Sequence, residues 1–206
     1  MKVLLIGATG ATGVEILPRL LKAGHTVTAL VRSPGNLKEK SDHLRVLDGD
    51  VRDQDLLVKA TEGQDAVIAA FGPRSLEKSD LQETFMRNLV FGMQKNGVRR
   101  IVNLSAWGAG STKPYMNLIP KLLRLTLLKN TFADKERGQK LLTDSALEYV
   151  NVCPGRLLND VSRGGVKASV DGKGFKPEMT RVDLAQWMID QLTSDTWVRK
   201  DPIVGY

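Results

Sequence analysis

Short apolar runs alternate with longer stretches of helical spacing along the whole chain. Val3–Ile6 is fully apolar and too short for a helix, so it predicts a strand buried on both faces. A helix follows from Thr12 to Ala23, with Val14, Leu17, Leu20 and Leu21 on its apolar face and Gly24 at the left-handed cap position. Thr26–Val31 and Leu44–Leu47 predict the second and third strands. Asp53 caps a predicted helix running to about Thr61, where Gly63 stops it. Asp65–Phe71 reads as the fourth strand and Arg100–Leu104 as the fifth. Between them, Leu81–Lys95 carries Phe85, Leu89 and Met93 at helical spacing, and Asn96-Gly97 ends it. Leu147–Cys153 reads as a sixth strand, and Ile203–Gly205 as a seventh that closes the sheet. Val166–Val170 with Asp171-Gly172 suggests a small hairpin. Thr180 caps the last helix, and Asp183 three residues on completes a capping box, a role preferred here to catalysis. Strictly alternating strands and helices predict an α/β fold. It is a Rossmann-like, doubly wound, mostly parallel sheet of about seven strands with helices on both faces.

The link between the first strand and the first helix is the most informative stretch. Gly7, Gly10 and Gly13 punctuate it as G-x-x-G-x-x-G. Glycine lets an anion approach the backbone, and the helix start offers free N–H groups and the positive dipole end. Glycine triplets also mark plain structural turns. This one directly follows a buried strand and opens a helix, which favours a dinucleotide site. No Gly-Lys-Ser or Gly-Lys-Thr closes the turn, so a P-loop is excluded.

After the second strand comes Arg32, with Ser33 and Lys38 nearby, and no acid lies between Glu15 and Glu39. An acid near this place takes a ribose 2′-hydroxyl, whereas an arginine accommodates a 2′-phosphate. Arg32 and Ser33 therefore predict NADPH as cofactor, with NAD as the alternative; an arginine at a strand end can also be simply solvated. Ligands of such sheets bind beyond the carboxyl ends of the strands, where Gly7–Gly13, Arg32, Asp50, Gly72 and Ser105 all fall.

Composition narrows the picture. The 206 residues suit one domain over 1–206, and 42% hydrophobic with 26% charged residues is a globular composition. The single cysteine, Cys153, excludes an internal disulfide and any Cys-pair metal site, and only two histidines are present, so no metal is expected. The apolar run after Lys2 is too short for a signal peptide, and no stretch approaches the roughly 20 apolar residues of a membrane span. A cytoplasmic location and no membrane partner are expected. The net charge is +7, but Lys and Arg are scattered, with no cluster longer than Arg99-Arg100. That is not the dense footprint of a nucleic-acid binder.

Taken together these segments resemble an atypical short-chain dehydrogenase/reductase, in the NAD(P)H-binding group that includes biliverdin-IXβ reductase, the NADPH flavin reductase. The resemblance rests on Gly7-Ala-Thr-Gly-Ala-Thr-Gly13, Leu30-Val-Arg32, Gly49-Asp-Val51, Gln64-Asp-Ala-Val-Ile68, Ser105-Ala106, Leu147-Glu-Tyr-Val150, Cys153-Pro154 and Arg181-Val-Asp-Leu-Ala185. It implies that Thr9, Gly10, Ala11 and Thr12 hold the diphosphate, and Arg32 the 2′-phosphate. Asp50 and Val51 would flank the adenine, Gly72 and Arg74 line the cofactor groove, and Ser105 and Pro154 sit near the nicotinamide. Where the reductase has a second arginine for the 2′-phosphate, this chain has Asn36.

Ordinary members of the superfamily use Tyr-x-x-x-Lys, whose spacing stacks both side chains on one helix face. Here Ile119 stands four residues after Tyr115, Cys153 four after Tyr149, and Tyr206 is the last residue. The family helix maps to Thr131–Leu142, with Lys135 at the lysine position and Thr131 at the tyrosine position. A threonine hydroxyl is far too weak an acid to replace tyrosine. An acceptor that is itself an electron sink, such as a flavin or a linear tetrapyrrole, needs only a platform, orientation and exclusion of water. Ser105 is the candidate that bonds the acceptor or the carboxamide; a strand-end hydroxyl can equally satisfy its own backbone. Trp107 is a candidate aromatic wall, or a packed loop residue. Lys135 contacts the nicotinamide ribose, or is solvated. Cys153 reads as an inert buried thiol. Asn117–Lys129 is leucine-rich and basic. In this family the segment lies beside the acceptor pocket, as a lid, part of the pocket wall or a partner surface. A short helix packed on the body is the expected outcome, rather than membrane docking. Loops at about 105–130 and 155–180 would form the acceptor pocket. The leading reading is an NADPH-dependent reductase of a flavin-like small molecule. A non-catalytic dinucleotide sensor is the alternative, and a nucleotide-sugar epimerase or dehydratase is disfavoured. The sequence leaves the oligomeric state open.

Overall fold

A computed structural model describes residues 1–72 and 76–206. Its centre is β1 (Lys2–Ile6), flanked by β2 (Thr26–Val31) and β4 (Ala66–Ala69), both parallel to it. β3 (Leu44–Asp48) extends one side; β5 (Arg100–Leu104) and β6 (Glu148–Pro154) extend the other, all parallel. The strand order is β3-β2-β1-β4-β5-β6, continued by β10 (Ile203–Gly205) and β8 (Lys167–Ser169). The order reverses between β1 and β4, which opens a crevice there at the carboxyl ends of the strands.

Both faces are buried. On one, Val3 and Leu5 pack with Ile16, Leu17 and Leu20 of α1 (Gly13–Lys22) and with Leu184 and Met188 of α6 (Arg181–Asp190). On the other, Leu4 and Ile6 pack with Leu57 of α2 (Gln54–Thr61), Phe85, Leu89 and Met93 of α3 (Leu81–Lys95), and Leu142 of α5 (Lys129–Asp144). This two-sided burial is why the central strands read as unbroken apolar runs. Each such side chain contributes about 1.5–3 kcal/mol relative to an exposed one. α3 and α5 are also tied by a polar contact. The buried Asp134 carboxylate of α5 accepts the Gln82 and Glu83 N–H groups at 3.0 and 3.2 Å, which caps α3 from outside.

The local signals hold at the expected places. Asp53 caps α2 by accepting the Leu56 N–H at 3.0 Å, and Thr180 caps α6 by accepting that of Asp183 at 3.2 Å. The sheet is one strand wider than expected. Val166–Val170 does not close a hairpin on itself: β8 pairs antiparallel with β10, Ser169 opposite Ile203. A separate pair, β7 (Arg156–Leu158) and β9 (Glu178–Thr180), runs parallel. Val14, expected on the buried face of α1, is 51% exposed, because Ile16, Leu17 and Leu20 already face the sheet. The leucine-rich stretch forms α4 (Leu118–Leu125), but it does not bury against the body. Leu118 and Ile119 are about four-fifths exposed (80% and 82%). The helix is held instead by Arg124, which is 2.6 Å from Glu136 and stacks over Phe132. Among the described residues no helix is long and apolar enough to cross a membrane, and no group of three or more His, Cys, Asp or Glu side chains is arranged to hold a metal.

Candidate functional site

β1 ends at Ile6, and Gly7 turns the chain with φ +90°. A Cβ at Gly7 would lie 2.5 Å from the Ala70 carbonyl oxygen, so the turn is pressed against the end of β4. The Gly10 N–H closes the turn on the Gly7 carbonyl at 2.9 Å. Thr12 precedes α1 without a side-chain capping bond. The Val14 and Glu15 N–H groups donate to the Gly10 and Thr12 carbonyls, both at 3.0 Å, so what the helix start offers an anion above the turn is its positive dipole end.

A narrow cleft of about 80 Å³ lies over this turn. It gathers Gly7, Thr9, Gly10, Arg32, Val51 and Gly72 from four separate strand ends. Arg32 is exposed at the end of β2 and forms no ion pair among the described residues. Val51 is 5% exposed and sits in the core beside Leu30. Its carbonyl and that of Arg52 are held by the Asn88 amide, at 3.4 and 2.9 Å. Asp50 uses one carboxylate oxygen to accept the Arg52 N–H at 2.9 Å. Ser33 is exposed and opens a short 3-10 turn over Pro34–Asn36. Ala11 lies away from the narrow cleft: it lines a second hollow with Val14, Asn159 and Arg181, beside α6. Arg74 lies outside the described residues.

Ser105, Pro154 and Lys135 come together at the carboxyl ends of β5 and β6. The Ser105 N–H donates to the Val152 carbonyl and that of Trp107 to the Pro154 carbonyl, at 2.8 and 2.9 Å. The Lys135 ammonium donates to the Leu104 carbonyl at 3.3 Å, and burial pushes its pKa below the ordinary lysine value. Beyond them opens an apolar cleft of about 610 Å³, walled by Trp107, Met116, Leu123, Phe132, Pro154 and Pro177. Among the described residues three buried polar atoms on this side lack a partner: the Trp107 indole nitrogen, Arg124 Nε and the Thr131 hydroxyl. Buried polar groups are normally satisfied, so this side of the molecule suits a ligand with hydrogen-bonding groups. Cys153 is fully buried, its thiol donating to the Asn151 carbonyl at 3.3 Å; burial pushes its pKa up to about 12.

The sequence reading did not find Gln139, which accepts the Ser105 hydroxyl at 2.7 Å. One signal was available: Thr131, Lys135 and Gln139 are spaced by four and form one stripe of α5. Asp201 and Asn151, which complete the same network, carried no periodic signal. Asp183 is more than a capping-box partner. Its carboxylate collects hydrogen bonds from Ser162, the Arg163 N–H, Thr180 and the Tyr206 hydroxyl. The Thr180 N–H, which a full capping box would give to Asp183, goes to Tyr206 at 3.0 Å.

Fold and glycine turn together define a Rossmann-type dinucleotide-binding protein. The family description NAD(P)H-binding matches residues 7–195, and the chain belongs to that family. It is 30% identical over 205 residues to an uncharacterized chloroplastic protein of Arabidopsis thaliana, covering 94% of this chain and 72% of that one. It is 32% identical over 111 residues to the photosystem II assembly factor Ycf39 of Synechocystis, covering 51% of this chain but only 33% of that protein. Among solved structures, a short-chain dehydrogenase/reductase of Veillonella parvula in complex with NADP superposes with a TM-score of 0.85 at 17% identity, covering 100% of this chain and 94% of that one. The anaerobilin reductase ChuY of Escherichia coli O157:H7 gives 0.84 at 19% identity, covering 99% and 96%. At these identities the likeness is one of fold.

Proposed function

We propose that the protein is an NADPH-dependent reductase that transfers hydride to a conjugated planar acceptor, a flavin first among them. The observation that carries this reading is the apolar cleft beside Trp107 and Pro154, at the strand ends where Ser105 and Lys135 meet. It is wide and apolar, as a flat aromatic ligand requires, and it lies apart from the narrow cleft over the glycine turn.

The glycine turn suits a diphosphate, because Gly7, Gly10 and Gly13 leave its backbone open and the helix start above it has no side-chain cap. In this reading Thr9, Gly10, Ala11 and Thr12 form the diphosphate seat, with Gly10, whose own N–H closes the turn on Gly7, contributing a backbone free of a side chain. Arg32 and Ser33 take the 2′-phosphate. Asp50, Val51 and Gly72 border the adenosine half, and Ser105, Lys135 and Pro154 the nicotinamide half. The reduced nicotinamide supplies the hydride. The chain's own part is to hold the acceptor flat against Trp107 and to keep water from the hydride path. With Thr131 in the tyrosine position, the tyrosine proton donor of ordinary members is missing there, which favours an acceptor that stabilises the incoming charge itself.

Mixing protein, NADPH and FMN and following the nicotinamide absorbance tests the proposal. Protein-dependent oxidation of NADPH is the expected result. Tight NADPH binding without acceleration, across several planar acceptors, would replace this reading with that of a dinucleotide sensor.

A further inference from the structure

The Ser105 hydroxyl ends a chain of buried hydrogen bonds whose direction is set by one carboxylate. Asp201, 9% exposed, lies just before β10. Its Oδ2 accepts the Ser111 hydroxyl at 2.6 Å and the Gln139 amide N–H at 3.1 Å, while its Oδ1 accepts the Asn151 amide N–H at 2.8 Å. A carboxylate only accepts, so each amide facing it must present its NH₂. Gln139 therefore turns its carbonyl the other way, where it accepts the Ser105 hydroxyl at 2.7 Å. Asn151 does the same on its side, and its carbonyl accepts from Asn103 at 2.9 Å. Both branches carry the polarity that Asp201 dictates.

Room for this chain is built into the backbone. Gly110 has φ +54°, and a Cβ there would fall 2.5 Å from the Gln139 amide nitrogen and 3.5 Å from Asp201 Oδ2. Gln139 is 3% and Ser105 6% exposed, so the bond between them is buried, while Gln139 and Asp201 also border a hollow of about 450 Å³ on the far side. The neighbouring Cys153 sulfur lies within hydrogen-bond reach of the Ser105 hydroxyl, but its own proton goes to the Asn151 carbonyl at 3.3 Å.

We propose that Asp201, acting through Gln139, fixes Ser105 as a hydrogen-bond acceptor toward the ligand. The Ser105 proton is committed inward, so the oxygen offers lone pairs outward. Ser105 then selects a group that presents N–H or O–H, such as a carboxamide NH₂, a lactam or a pyrrole N–H, over a bare carbonyl. This rests on the reading that Ser105 borders the nicotinamide end of the site. Asp201 and Gln139 are positioning residues; neither need touch the ligand.

Two nucleotides separate the possibilities: NADP⁺, and its 3-acetylpyridine analogue, which keeps the carbonyl but replaces the NH₂ by methyl. Binding is measured by calorimetry, without turnover. The wild type is expected to bind NADP⁺ about tenfold more tightly, the worth of one hydrogen bond at the upper end of the neutral range. In Asp201→Asn the amide can donate to the Gln139 carbonyl, which frees Gln139 to invert and releases the Ser105 proton outward. The preference then falls below about threefold. Gln139→Met, which cannot accept the Ser105 proton, is expected to lose the preference as well. Equal affinity of the wild type for both nucleotides overturns the proposal and leaves the cofactor site standing, and so does an unchanged ratio in folded variants. Binding of neither nucleotide by the wild type removes the site reading and this proposal together. Should both variants fail to fold, the wild-type ratio alone decides.

Discussion

Gly13 and Gly7 meet so closely that a Cβ on Gly13 would fall 2.0 Å from the Gly7 carbonyl oxygen. The first residue of α1 thus rests on the last turn of the backbone leaving β1, with no room for even a methyl group. Gly10, between them, is different: its Cβ would stand 3.2 Å from the same oxygen, close but nearly tolerable.

Substitution therefore splits by position. Gly13→Ala forces the backbone of helix and turn apart and is expected to cost about 3 kcal/mol or more, at the upper end for overpacking. Gly10→Ala is expected to change stability by no more than about 1 kcal/mol, since its backbone needs no left-handed conformation. Its effect falls on nucleotide affinity, because the methyl group lines the cleft over the turn. Urea denaturation of both variants, with nucleotide titration of Gly10→Ala, checks this. Equal stability of the two variants would contradict the packing account.

Asp183 makes stability depend on acid. Partial burial pushes its carboxyl pKa up, but hydrogen bonds from Ser162, Tyr206, the Arg163 N–H and Thr180 outweigh burial and hold it well below the ordinary carboxylate range. A group whose pKa is depressed by folding stabilises the fold fully above its unfolded value, roughly pH 4. That contribution is lost as pH falls toward the folded value. Asp183→Asn is accordingly expected to be about 1–3 kcal/mol less stable than wild type at pH 7. The gap should narrow when both are unfolded in urea at pH 3. A gap of the same size at both pH values would show that the carboxylate charge is not what Ser162, Thr180 and Tyr206 hold.

Cys153 is expected to be chemically silent in the native protein. With no exposed surface and a pKa raised to about 12, it carries almost no thiolate at pH 8. A thiol reagent such as DTNB should label it only after denaturant is added. Labelling of the native protein on the time scale of a free thiol would mean that β6 opens readily at this position.

Much of this architecture was legible in the chain, and the reason is physical. β1 and β4 are buried on both faces, so Val3–Ile6 and Ala66–Ala69 are short apolar runs, with Gly7 ending the first and Asp65 preceding the second. The Leu81–Lys95 helix has the bounds that its spacing predicts, since Asn96-Gly97 supplies a local stop, with Gly97 at φ +70°. What escaped depends on distant partners. β8 is three residues long and acquires its place only by pairing with Ile203–Gly205, more than thirty residues later. α4 has the amphipathic pattern of a buried helix yet stays largely exposed: Arg124 ties it to Glu136 of α5, and its Ile119, Pro120 and Leu123 wall the apolar cleft. Gln139, Asn151 and Asp201 are polar residues buried by one another, and no local pattern announces such a cluster. At the site, the glycine turn and Arg32 stood out because position along the chain carries their meaning. The orientation of Ser105 did not, because it is set 96 residues away.

The central claim is that the glycine turn seats the phosphates of a nicotinamide nucleotide and that Arg32 reads the additional one. Calorimetric titration of NADPH and NADH into wild type and Arg32→Asp tests it most directly. The account predicts that the wild type binds NADPH at least about tenfold more tightly than NADH, as a charge-assisted contact allows, and that the variant loses this preference while still binding NADH. The absence of any heat of binding for either nucleotide would contradict the seat itself, and equal NADPH affinity in wild type and variant would contradict the role of Arg32.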